Sequence, residues 1–161
     1  MTHPSALPHE ERETLTYLAS SLELSTDALN TMIRAATDCA AAAGSTVSVH
    51  VVDSSAVSVA YIKMHGAHQG SGALAHDKAW TTASFGGRGT EELGDWLATV
   101  DQPTRDAILR RPRFTILPGG VPIWDGEVLV GAVGVSGGPG DVDVACARAA
   151  LRAIGVAENG K

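Results

Sequence analysis

Three of the chain's six histidines, His65, His68 and His76, fall within a dozen positions in the stretch KMHGAHQGSGALAHDKAWTTASF, residues 63–85. Imidazole titrates near neutral pH and is a common metal ligand, so this density points to haem-iron or metal ligation, or to proton transfer. His65-Gly66-Ala67-His68 forms an H-x-x-H pair, Asp77 adjoins His76, and His50 is available from an earlier strand-like run. A zinc or iron site takes three or four ligands, and this spacing matches no named metal motif. Solvated loop histidines, ligation by His65, His68 or His76, and acid/base work therefore all stay open. Lys78 follows on a helical run of small and apolar residues. It can pair with a ligand carboxylate, or snorkel its ammonium to water.

The same stretch leaves a strand, crosses glycines and enters a helix, which places free backbone N–H groups at a helix start. A second glycine turn, Gly134-Val135-Ser136-Gly137-Gly138, matches G-x-S-x-G literally. No histidine follows His76, and the strand feeding the motif reads as antiparallel, so a serine nucleophile is set aside. What remains is a turn whose amides suit a carboxylate or phosphate, or plain structural punctuation. Trp80, Trp96 and Trp124 offer ligand-stacking surface or core packing.

These residues need a scaffold. The chain has 161 residues, 44% hydrophobic and 19% charged, enough for one domain with one substantial core. Net charge is −6 and the only basic stretch, Arg105 to Arg113, is short, which argues against nucleic acid as a partner. Composition argues against a membrane span. The N-terminal MTHPSALPHEERETL lacks the pattern of a signal peptide. Cys39 and Cys146 sit among alanines at helical spacing and read as two buried thiols, which points to the cytoplasm.

In chain order, residues 1–24 read as an N-terminal extension with a short helix over Glu10–Leu22, and residues 25–161 as the domain proper. Ser25-Thr26-Asp27 signals a helix start, and Leu29, Met32, Ile33, Ala36, Ala40 and Ala43 recur at helical steps up to Gly44. Thr46–Val52 and Val57–Lys63 read as a hairpin, with Val47, Val49 and Val51 on one face and Ser48, His50 and Val52 on the other. Helices are expected over 71–85, 90–100, 105–110 and 141–154. Short strands are expected at Arg113–Leu117, Val121–Trp124 and Glu127–Val135, with Asp125-Gly126 as the turn of the last hairpin. Locally antiparallel strand pairs alternating with helices define an α+β sandwich rather than a doubly wound nucleotide fold.

Several blocks in this order resemble the GlcG/HbpS-like family, also called the haem-degrading or DUF336 family, which includes the C-terminal domain of PduO cobalamin adenosyltransferases. They are the strand ending Val51-Val52-Asp53, then Met64-His65-Gly66-Ala67 where members commonly read M-D-G-A, then Lys78-Ala79-Trp80-Thr81-Thr82-Ala83 with Phe85. Gly119-Gly120-Val121-Pro122-Ile123 follows, and last Gly131 to Gly138 with an acidic pair after it. Together they span residues 29–155. The resemblance implies a profilin-like sandwich, a largely antiparallel sheet flanked by helices, assembling into homo-oligomers from dimer to octamer. It implies a small-molecule pocket, with haem or a related cofactor as ligand in some members. By that resemblance the pocket would draw on the loop of His65, the helix face of Lys78, Thr82 and Phe85, and the turn of Gly119, Gly120 and Pro122, to which the residue pattern itself adds His50, His68, His76 and Gly137 as candidates.

Two departures are informative. His65 replaces the usual aspartate, which favours altered ligand chemistry, and the secretion signal of extracellular members is missing. The leading expectation is a cytoplasmic, oligomeric small-molecule-binding protein, with haem as ligand and His65, His68 or His76 as its axial residue. The alternative is an isomerase, lyase or hydrolase acting on a small carboxylate or aromatic metabolite. There His65 or His76 would be the acid/base, Lys78 the anion partner, and glycine-corner amides the oxyanion donors. A purely structural accessory subunit is a third class.

Overall fold

Ser25 caps the first helix by accepting a hydrogen bond from the Ala28 amide, and Asp27 places an acid in the first turn. In the computed structural model, which describes residues 22–157, helix α1 runs Thr26–Ala42. The strands β1 (Ser48–Asp53) and β2 (Ser58–Lys63) form the first hairpin. Three helices follow: α2 (Ser71–Ser84), α3 (Thr90–Thr99) and α4 (Gln102–Leu109). The second hairpin pairs β3 (Gly120–Asp125) with β4 (Val128–Ser136), and α5 (Gly140–Ala153) closes the order. The helix expected over Glu10–Leu22 lies outside the described residues except for Leu22.

The sheet is antiparallel throughout, in the order β2-β1-β4-β3, so the two hairpins join through their central strands β1 and β4. Pro122 sits on the edge strand β3, where its missing N–H costs little, and the β3–β4 register shifts between Ile123 and Trp124. The fold is thus an α+β, profilin-like sandwich. Its main core lies under α1 and α5, where Met32, Ala36, Ala40, Cys146, Ala147 and Leu151 meet Val47, Val49, Val51, Val133 and Val135. The opposite face carries α2, with Ala79 and Ala83 on Val52 and Ala132. No helix among the described residues is long and apolar enough to cross a membrane.

Arg113–Leu117 forms no strand. Arg113 adopts φ 67°, which breaks an extended run, and the Thr81 hydroxyl donates to the Arg113 carbonyl (3.0 Å) while accepting from the Thr115 amide (3.1 Å). A side chain of α2 therefore takes the backbone groups that a strand partner would have used.

The close seat of α2 on the sheet depends on glycine at two paired positions, Gly120 and Gly134. A Cβ at 134 would collide with the Ala75 carbonyl oxygen and lie 2.7 Å from the Ala79 amide, and one at 120 would lie 2.7 Å from both the Lys78 carbonyl and the Thr82 hydroxyl. Gly134→Ala is expected to destabilise the fold by about 3 kcal/mol, read from the urea midpoint. Gly44→Ala, with φ 66° but nothing within 4 Å, should cost only about 1 kcal/mol. An unchanged midpoint for Gly134→Ala would contradict this seating.

Candidate functional site

His50 on β1 and His76 on α2 meet face to face, with ring centroids 4.4 Å apart and planes tilted 30°. Alternation along β1 turns His50 toward α2, and register pairs it with Tyr61 on β2. The Tyr61 ring therefore also lies against His50, at 5.0 Å and tilted 34°, while its hydroxyl reaches over Gly72, where any Cβ would clash with it. At the far end, Arg113 Nη1 donates to His76 Nδ1 at 3.3 Å. Tyr61, His50, His76 and Arg113 thus form one continuous chain of contacts.

The electrostatics of these contacts follow from their depth and their neighbours. His50 Nε2 bonds the Ser58 hydroxyl at 2.6 Å, while its Nδ1 is buried without a partner. Burial, and then the nearby His76, pull the His50 pKa down to about 4. His76 is lowered by burial and by the Arg113 guanidinium, with Asp77 opposing. Burial raises Asp77, against the pull of His76 and Arg113. Both rings are neutral at physiological pH. Because arginine only donates, His76 must carry its proton on Nε2. That nitrogen has no protein partner among the described residues and reaches solvent.

Lys78 belongs to the interior. It is 3% exposed, and its Nζ donates to Asp143 Oδ2 at 2.9 Å and to the Val135 carbonyl at 2.7 Å. Asp143 Oδ1 accepts from the Gly138 amide at 3.0 Å. Burial pulls the ammonium below its ordinary value, and the hydrogen bond and charge of Asp143 oppose this. The cation expected for a ligand carboxylate is thus already paired inside the fold.

The glycine corners are internal as well. Gly120 donates its amide to the Thr90 hydroxyl (3.1 Å), and a Cβ at Gly119 or Gly137 would press on the Val135 or Thr46 carbonyl. Thr82 is fully buried with an unpartnered hydroxyl, Phe85 packs edge-on against Phe114 at 4.8 Å, and Pro122 is partly buried in β3. These residues line the seat of α2 rather than an open cleft. His65 and His68 are exposed on the connection between β2 and α2. Among the described residues no three His, Cys, Asp or Glu side chains converge on a metal, so His65, His68 and His76 do not form a common ligand set.

The glycine corners that were expected to share a hollow with the histidines are taken up by packing and internal hydrogen bonds. Two hollows lie away from these residues, one of about 470 Å³ along α1 and one of about 200 Å³ beside Leu24, Leu29 and Val59. Of the residues expected at the site, the fold brings His50 and His76 together. It adds Tyr61, Ser58 and Arg113, which sequence reasoning missed. Tyr61 was reachable from the hairpin register. Arg113 was not, because its approach depends on the path of an irregular segment.

An antiparallel α+β sandwich with a histidine pair where α2 crosses the sheet defines the architecture, and the comparisons give it a family. The model of the haem-degrading HbpS-like proteins matches residues 24–152, and the chain belongs to that family. The chain is similar to Streptomyces reticuli HbpS, solved as a double mutant, at 33% identity, covering 96% of this chain and 99% of that one with a TM-score of 0.76. It is similar to a PduOC–haem complex at 29% identity, 86% and 99% coverage and TM-score 0.77. The Klebsiella pneumoniae protein ORFY follows at 26%, 84% and 93%, and 0.75. No curated protein sequence matches significantly.

The depressed His50 pKa predicts how stability varies with pH. The unfolded state takes up a proton near pH 6.5, the folded state only near pH 4, so stability falls as pH drops through that window. His76 acts in the same direction and Asp77 partly offsets it. His50→Gln should flatten the slope of the urea midpoint between pH 6.5 and about 4. An identical slope in the variant would show that His50 titrates as it does in water.

Proposed function

We propose that this protein binds a tetrapyrrole, haem first, on the open side of α2 near the β2–α2 connection. The observation that carries this reading is the likeness to a structure solved as a haem complex, which the match covers over 99% of its length. The chain's own residues fit such a group. His65 and His68 present exposed imidazoles with no side-chain hydrogen bond among the described residues, and either can act as the axial ligand. His76 fits that role poorly, because Arg113 holds its proton on the solvent-facing nitrogen. On the α2 face of β2, the exposed Tyr61 ring offers apolar surface to a porphyrin plane. When bound, haem supplies an iron centre able to take a further ligand and change oxidation state.

A homo-oligomer, dimer to octamer, belongs to the same reading. It is supported by the apolar edge strand β2, which a second copy would cover together with the ligand. A cytoplasmic setting is supported by the unbridged thiols of Cys39 and Cys146. The acid/base enzyme reading has lost its proposed anion partner, Lys78, and the amides of Gly120 and Gly138 to internal bonds.

Haemin titration is expected to give a Soret shift that is lost in the His65→Ala/His68→Ala double variant and kept in His76→Phe. No shift with wild type, or a shift insensitive to both loop histidines, would contradict the assignment. Light scattering should give a multiple of the 16.6 kDa chain mass. A monomer at micromolar concentration would overturn the oligomer.

A further inference from the structure

We propose that Cys39 on α1 and Cys146 on α5 are a reversible oxidation site, closing into an intramolecular disulfide when a peroxide reaches the partly exposed Cys39. The first ground is proximity. Alanine keeps the seam between α1 and α5 narrow. Ala36, Ala40, Ala147 and Ala150 are wholly buried in one cluster with Cys146, and Cys39 packs against that cluster. Side chains this small let two helices approach to about 8 Å between axes. Thiols facing across such a seam come within reach of a disulfide. The two do meet, because Cys39 acts on Cys146 through a side-chain hydrogen bond as well as by charge, and both are unbridged.

The second ground is the difference between the two sulfurs. Cys146 is fully buried and Cys39 only partly, so an oxidant arriving from solvent meets Cys39 first. The hollow of about 470 Å³ along α1 is lined by Ala35 and Asp38, the helical neighbours of Cys39. Burial, then the hydrogen bond and charge of Cys39, then Asp143, push the Cys146 thiol up to about 12. It stays protonated and does not react with peroxide by itself.

The chemistry balances with hydrogen peroxide as oxidant. The Cys39 thiolate attacks one peroxide oxygen, the O–O bond breaks, and the departing hydroxide takes up the thiol proton as water. The Cys146 sulfur then attacks the sulfur of the Cys39 sulfenic acid, the S–O bond breaks, and the Cys146 proton leaves with hydroxide as a second water. Two thiols lose two electrons and the peroxide gains them. Oxidation of Cys39 also removes its charge from the groups that keep Cys146 protonated, which eases the second step. Transient bridges of this kind are compatible with a reducing compartment.

The third ground is what the bridge would join. Asp143, one helical turn before Cys146, is the carboxylate that holds Lys78 of α2, so the bridge fastens α1 to the helix that clamps α2. The test uses native, ligand-free protein and does not depend on the tetrapyrrole reading. After hydrogen peroxide treatment, unfolding and alkylation, wild type should weigh about 2 Da less per chain and take no label. Peptide mapping should place the bridge between Cys39 and Cys146 of one chain. The urea midpoint should rise, because the bridge constrains the unfolded chain, and dithiothreitol should reverse both changes. Cys39→Ser should keep a free Cys146 thiol, and Cys146→Ala should run on to a sulfinic acid, about 32 Da heavier. Wild-type mass decides even if a variant fails to fold. Wild type that gains oxygen at Cys39, keeps two labelled thiols, or bridges only between chains or only in urea would overturn the proposal.

Discussion

A buried ion pair holds the helix on which the site depends. Lys78 and Asp143, 2.9 Å apart and both nearly inaccessible, join α2 to α5, and the ammonium also bonds the Val135 carbonyl on β4. Taking two charges out of water is costly, and such a pair is tolerated only when its remaining hydrogen-bonding capacity is met. Here the second carboxylate oxygen accepts from the Gly138 amide, so the turn leading into α5 is part of the same network. One lysine thus ties helix, strand, turn and helix at a single point.

The position of that helix determines what its other residues can reach. With Gly134 and Gly120 admitting its backbone, α2 lies close enough for His76 to stack on His50. One turn further, Thr81 captures the irregular segment at residues 113–115 and delivers Arg113 to His76. The inward side of α2 is therefore given to packing and charge pairing, and its rim carries the His76 contacts. Neutral rings, a donor-only cation and exposed loop histidines lie at this rim.

Much of the scaffold could be read from residue patterns. Alternating valines in β1, the Asp125-Gly126 turn and the alanine periodicity of α1 all have short-range causes, so strands and helices fell close to where they were expected. Face assignment from alternation also placed His50 toward α2. The site was less legible because its contacts are long-range. Lys78 meets Asp143 across 65 residues, and nothing local distinguishes a lysine that pairs inside from one that faces a ligand. Glycines that look like ligand cradles in sequence serve the same steric purpose when a helix is the object that approaches, as at Gly134. Arg113 sits in a segment whose strand-like residues are overruled by Thr81.

Lys78 is a structural clamp between α2, β4 and α5 rather than a ligand contact. Urea unfolding and protoporphyrin affinity measured on Lys78→Met and on Lys78→Met/Asp143→Leu test this most directly. The single variant leaves a buried carboxylate unpaired and should lose about 3–5 kcal/mol. The double variant should recover most of that stability and bind protoporphyrin within about twofold of wild type, since no ligand contact has been removed. A Lys78→Met protein as stable as wild type but unable to bind would contradict the account.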